Sequence, residues 1–116
     1  MENNIQAQPD VLLKGIGASS GIAEGTARLF LPGDDAVLFN EGDVLVTTLT
    51  DPTMVQAMVK AAAIVTDIGG ITSHPAILSR EMGVPCVVNT KEGTKKITEG
   101  MRIRVDGTKG EVYVLA

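Results

Sequence analysis

The sequence predicts an α/β domain of three layers, β/β/α, with a central parallel sheet, flanking helices and a second strand layer that includes a C-terminal hairpin. Two observations carry this. The middle of the chain reads strand, helix, strand, helix, strand, a repeat that builds a parallel sheet through right-handed crossovers. The end, "MRIRVDGTKGEVYVLA", alternates apolar and polar residues on both sides of a DGTKG turn, which marks a hairpin that cannot extend a parallel sheet by crossover. At 116 residues the chain has room for one core. That core is aliphatic, because 44% of the residues are hydrophobic while only two Phe, one Tyr and no Trp are present.

Residues 1–10, "MENNIQAQPD", are polar and aperiodic, and are expected to be a disordered N-terminal segment ahead of a domain over 11–116. A short apolar strand follows, then a loop carrying Gly15, Gly17, Gly21 and Gly25, then a second strand across Thr26 to Leu31. These glycines serve turns; a phosphate cradle would need a following lysine and helix, which are missing. Val44, Leu45 and Val46 form a strand of the buried kind. Asp51 then caps a helix with Pro52 at its first position and an apolar stripe of Met54, Val55, Met58 and Val59, in which the methionines are core filler. "AAIVTD" is the next buried strand. Pro75 opens a second helix whose buried face is Ile77, Leu78 and Met82 and whose stop is Gly83, and "VPCVVN" is the third strand.

Composition excludes several functions. A net charge of −4 and a pI near 4.8 disfavour a nucleic-acid surface, which needs clustered Lys and Arg. No apolar stretch reaches the roughly 20 residues that span a bilayer, and no secretory signal opens the chain, so the expected location is cytoplasmic, away from membranes. The single Cys86 forms no internal disulfide. Charge is uneven: residues 1–90 hold four basic and ten acidic side chains, residues 91–116 six and four. The basic end reads either as a solvated hairpin or as a docking face for an acidic partner.

The only histidine, His74, lies in "DIGGITSHPAILSREMGVP" just past the carboxyl end of a parallel strand, where α/β sheets place ligand chemistry. It also stands at a helix start. Free amides there, for instance those of Ala76 and Ile77, together with the helix dipole, favour a bound or covalent phosphoryl group. Gly69 and Gly70 let the backbone approach it, and Thr72 and Ser73 add hydroxyl donors. One His and one Cys make no closed zinc site, so no metal is expected. Ser73 is too close in sequence to pair with His74 in a hydrolytic triad. The imidazole itself is then the candidate nucleophile.

These residues match a family pattern. "TDIGGITSHPAILSREMGVPCVV" resembles the phosphohistidine signature of the mobile domain of PEP-utilising enzymes, as in pyruvate phosphate dikinase, phosphoenolpyruvate synthase and Enzyme I of the sugar phosphotransferase system. "GIGASSGIAEGTARL", "GDVLVTTLTDPTMVQAMVKAAAIVTDIGG" and "EGTKKITEGMRIRVDGTKGEVYVL" resemble the rest of that domain. The resemblance implies the swivelling β/β/α fold, with His74 phosphorylated on Nε2 and Gly69, Gly70, Thr72 and Ser73 as loop support; Thr72 falls where plant dikinases carry a regulatory threonine. It implies a carrier that turns nothing over alone. Mg²⁺ and ATP or PEP would sit not on this domain but on an ATP-grasp domain and a PEP/pyruvate-binding barrel, on the same or a separate chain. Alternatives are the same carrier in an Enzyme I, phenylphosphate synthase or rifampicin phosphotransferase type of kinase, or a non-catalytic regulatory module of the same fold. Two positions depart from the pattern: Pro75 replaces a small residue and removes one N–H donor, and Asn89 replaces a glycine at a turn, where Asn tolerates the left-handed conformation.

Overall fold

The computed structural model describes residues 10–31 and 33–115, so the expected N-terminal segment lies, apart from Asp10, outside the described residues. The elements in chain order are β1 (Val11–Lys14), β2 (Ile16–Ser19), β3 (Ile22–Leu29), β4 (Val44–Thr47), α1 (Val55–Lys60), β5 (Ala63–Thr66), α2 (His74–Met82), β6 (Cys86–Val88), α3 (Gly93–Lys96), β7 (Arg102–Asp106) and β8 (Glu111–Val114). The chain is a mixed α/β domain: the eight strands form one sheet in the order β1-β8-β7-β3-β4-β5-β6-β2. Strands β3, β4, β5 and β6 run parallel to their neighbours in that run, and β7–β8 is the expected hairpin. Among the described residues no helix is long and apolar enough to cross a membrane.

Two stretches of chain change partners along their length. In β3, Ile22–Thr26 pair antiparallel with β7, while Ala27–Leu29 pair parallel with β4. Strands β1 and β2 are separated only by Gly15, yet they occupy opposite ends of the sheet, pairing with β8 and β6. The sheet therefore folds back so that one continuous segment sits at both its ends. Such a crossing needs backbone contact without side chains. A Cβ on Gly107, in the β7–β8 turn, would lie 1.9 Å from the Ser19 carbonyl, and one on Gly17 would lie 2.3 Å from the Gly107 carbonyl.

Alternation along the parallel strands divides the core. Val44, Val46, Ala63, Val65 and Val87 pack with Leu13, Ile97, Ile103, Val105 and Val112. Leu45, Ile64, Cys86 and Val88 point the other way, against Met54, Ala57 and Met58 from the α1 region and Ala76 of α2. Both faces of these strands are covered, which is why they read as continuous apolar runs rather than as alternating patterns.

Three sequence expectations need correction. The strand expected across Thr26–Leu31 begins at Ile22 and ends at Leu29, because pairing with β7 recruits the preceding residues. The helix after Asp51 opens with a 3-10 turn, Pro52–Met54, in which Asp51 accepts from the Thr53 amide at 2.8 Å. The tighter turn shifts the helix phase. The buried residues are Met54, Ala57 and Met58, while Val55 and Val59 face outward. In α2 the buried positions are Pro75, Ala76 and Ser79, with Leu78 and Met82 partly covered and Ile77 45% exposed. Small residues let this helix sit close to β2 and β6, which rotates Ile77 off the core. Gly83 does stop α2, in the left-handed conformation at φ 71°.

Cys86 lies under α2 with no exposed surface, its thiol donating to the Pro75 carbonyl at 3.9 Å, and burial pushes its thiol up to about 11. Its folded value is raised, so its contribution is intact below the ordinary value of 9.0 and is lost between there and about 11, where the unfolded thiol ionises first. Alkylation at pH 8 should accordingly be slow in the native chain and fast in denaturant. Equal rates in both conditions would contradict a buried thiol.

Candidate functional site

Because β4, β5 and β6 run the same way, the loops that leave their carboxyl ends gather at one edge of the sheet. The β4–β5 pairing continues past the strands: the Asp67 and Ile68 amides donate to the Thr47 and Thr48 carbonyls, both at 3.1 Å. This brings the segment after β4 alongside the loop 67–73. Asp67 anchors the loop's base, its two carboxylate oxygens accepting from the Thr94 amide at 2.9 Å and the Thr94 hydroxyl at 2.5 Å at the start of α3.

Beyond Ile68 the chain turns at Gly69, whose φ of +125° is open to glycine and where a Cβ would meet the Ser73 hydroxyl at 2.9 Å. Gly70 has ordinary backbone and open space about it. Of the glycine pair expected to support the loop, Gly69 is thus the constrained member. Ser73 is the N-cap residue of α2, but its side chain does not cap the helix. Both its amide and its hydroxyl donate to the Gly70 carbonyl, at 3.1 and 2.7 Å.

His74 is the first residue of α2, half-buried, with Nδ1 2.7 Å from Oγ1 of the buried Thr50. When Nδ1–H donates to that hydroxyl, Nε2 presents a lone pair, the tautomer a nucleophile needs. The Asp51 carboxyl is held below the usual range first by the Thr53 hydroxyl, then by the Thr53 amide.

The loop sorts its backbone groups by type. Four carbonyls, those of Ile68, Gly70, Ile71 and Ser73, are occupied, by the Thr66 hydroxyl (2.8 Å), Ser73, Arg80 Nη2 (2.6 Å) and the Ile77 amide (3.0 Å), while among the described residues those of Gly69 and Thr72 accept from no donor. Among the described residues, the amides of Gly69, Gly70, Ile71, Thr72, His74 and Ala76 donate to no backbone carbonyl or side-chain acceptor. Occupied acceptors and free donors at a helix N-terminus make an electropositive surface suited to an anion.

All five sequence-predicted residues, Gly69, Gly70, Thr72, Ser73 and His74, fall in this one loop and helix start. The Ala76 amide is free as expected, whereas that of Ile77 is used by the Ser73 carbonyl. Asn89 stands in the left-handed region at φ 58°, as its place at a glycine position implied. Sequence reasoning missed Thr50 and Arg80. Thr50 lies 24 residues before His74, a separation that carries no motif signal. Among the described residues no group of three His, Cys, Asp or Glu could hold a metal ion.

A loop of free amides around a histidine held through Nδ1 is an arrangement suited to an anion. A profile of the PEP-utilising enzyme mobile domain matches residues 39–110, and the chain belongs to that family. It is 57% identical over 106 residues to phosphoenolpyruvate synthase of Pyrococcus furiosus, covering 91% of this chain and 13% of that protein. It is 44% identical over 108 residues to rifampicin phosphotransferase of Streptomyces sviceus, covering 93% of this chain and 12% of that one. A solution structure of Enzyme I matches with a TM-score of 0.61 at 29% identity, over 70% of this chain and 34% of that chain. The chain therefore spans only a small part of the length of the relatives it matches.

The two glycines should separate in a stability test. Gly69→Ala puts a side chain at φ +125° and against Ser73, and should lower stability by about 1–3 kcal/mol. Gly70→Ala meets no neighbour and should leave the unfolding midpoint within experimental scatter. Equal midpoints for the two variants would contradict the loop geometry.

Proposed function

We propose that this chain is the phosphohistidine carrier domain of a phosphoenolpyruvate synthase or pyruvate dikinase type of phosphotransferase. The observation that carries the reading is the Thr50 hydroxyl on Nδ1 of His74, which leaves Nε2 as the reacting nitrogen beside the free amides. The Nε2 lone pair attacks phosphorus, the bond from phosphorus to the leaving oxygen breaks, and that oxygen keeps the electron pair. The proton on Nδ1 stays with the ring, facing Thr50. Delivery reverses these steps, with an acceptor oxygen as nucleophile and Nε2 as leaving group.

Gly69, Gly70, Thr72 and Ser73 support the phosphoryl group, Gly69 by its turn and Ser73 by holding the Gly70 carbonyl away. The nearby cation, Arg80, already bonds two carbonyls through its terminal nitrogens. A triphosphate needs positioned cations. Mg²⁺ and ATP or PEP are accordingly assigned to partners, an ATP-grasp domain and a PEP/pyruvate-binding barrel in the cytoplasm, between which this domain swivels. The separate core clusters on the two faces of the parallel strands support the three-layer β/β/α arrangement of that swivelling domain. The 44% identity to a rifampicin phosphotransferase supports a second reading, the same carrier serving a different acceptor. Regulation through Thr72, which is exposed, remains part of the proposal.

Chain labelled by its cognate partner should lose phosphate in mild acid and hold it in alkali, as a phosphoramidate does, and His74→Ala should take no label. An acid-stable label would point to Ser73 or Thr72 and overturn the assignment. Thr50→Val should fold and still take label, about tenfold more slowly if the lost hydrogen bond contributes near 1.4 kcal/mol to holding the ring. An unchanged rate of labelling would remove Thr50 from the mechanism.

A further inference from the structure

Of the occupied carbonyls in the histidine loop, three are held by near neighbours in sequence. The Ile71 carbonyl is different. Its partner is Arg80, two turns into α2, whose Nη2 donates to it at 2.6 Å while Nη1 donates to the Ala18 carbonyl in β2 at 2.8 Å. One planar guanidinium thus joins the loop, the helix and the strand at the end of the sheet. Two terminal nitrogens in a fixed fork can serve two carbonyls at once, which a single ammonium does less well.

The peptide joining Ile71 to Thr72 has little else to fix it. Ile71 is 58% exposed, Thr72 is exposed, and Gly70 just before them has open space. In a planar trans peptide the carbonyl and the following N–H point in opposite directions. Holding the Ile71 carbonyl toward Arg80 therefore sets the direction of the Thr72 N–H. Rotation of this unit would exchange a donor for an acceptor two residues before the histidine, where an acceptor repels a phosphoryl group.

We propose that Arg80 is a positioning residue: by holding the Ile71 carbonyl, it keeps the Thr72 amide turned toward the phosphoryl group on Nε2 of His74. Arg80 itself does not contact that group. The proposal rests on the phosphohistidine reading and adds to it a named donor and the side chain that aims it.

The test uses this chain labelled with phosphoramidate, a small donor that needs no partner domain; its P–N bond breaks, ammonia leaves, and the new bond forms at His74. Amide shifts and label lifetime are followed by NMR. In the unaltered chain, labelling should move the Thr72 amide proton downfield, and the shift should disappear when acid removes the label. Arg80→Gln should take label at His74, show no such Thr72 shift, and lose the label several-fold faster at neutral pH. A merely structural role would lower the melting temperature yet leave the Thr72 response intact, which would overturn the proposal, as would an unchanged label lifetime in the folded variant. Should the variant fail to fold, the unaltered chain decides: label on Nε2 with an unmoved Thr72 amide overturns the assignment. No label on His74 at all would instead overturn the carrier reading and this proposal with it.

Discussion

The site depends on the register of β4 against β5. Val44 pairs with Ala63 and Thr47 with Thr66, and the same ladder runs on through Asp67 and Ile68 before the loop turns away. Only this register puts Thr50 within hydrogen-bond distance of a histidine that belongs to the next crossover. A slip of one residue would turn every side chain of a strand to the opposite face. Here it would exchange the valines that pack against residues of β1, β7 and β8 with the residues that pack against the helices. The burial of both faces thus fixes the spacing of Thr50 and His74, although both lie beyond the strands.

The proposed carrier loop would receive a phosphoryl group with dipoles rather than with a formal charge. Four of its carbonyls are drawn off by hydroxyls, amides and a guanidinium, and most of its own amides are left without an acceptor among the described residues. For the proposed carrier this has a kinetic merit. A phosphoryl group clamped by arginines would be stabilised on the histidine and slow to depart, whereas amide donors support it modestly and leave charge neutralisation to whichever partner is receiving it. The acidic balance of the chain agrees with that division of labour.

Much of this was legible in the sequence, for reasons that can be named. The apolar runs of β4, β5 and β6, the proline and glycine that bracket α2, and the DGTKG turn each act over a few residues, so local pattern places them. Where the reading failed, the deciding contact was distant. Ile77 looks like core by spacing, but Ala76 and Ser79 bring the helix close to the sheet and turn it outward. Val55 and Val59 share that fate because a 3-10 turn precedes α1. The short helix α3 has no periodicity to detect and is tied down by Asp67, far back in the chain. Thr50 and Arg80 act across crossovers, and at the glycine pair the two letters are identical while the backbone demands of Gly69 and Gly70 are not.

The segment that supplies both ends of the sheet has a bearing on solubility. Open sheets end in strands whose unpaired amides and carbonyls can template another chain, and long, flat edges are where proteins aggregate. Here the terminal strands are β1 and β2, each four residues long, and the chain changes direction between them at Gly15. Neither offers a run long enough for stable pairing with a stranger. If the chain moves between partners as proposed, it exposes its borders at each departure, and such curtailed edges would let it do so without adhering to its neighbours.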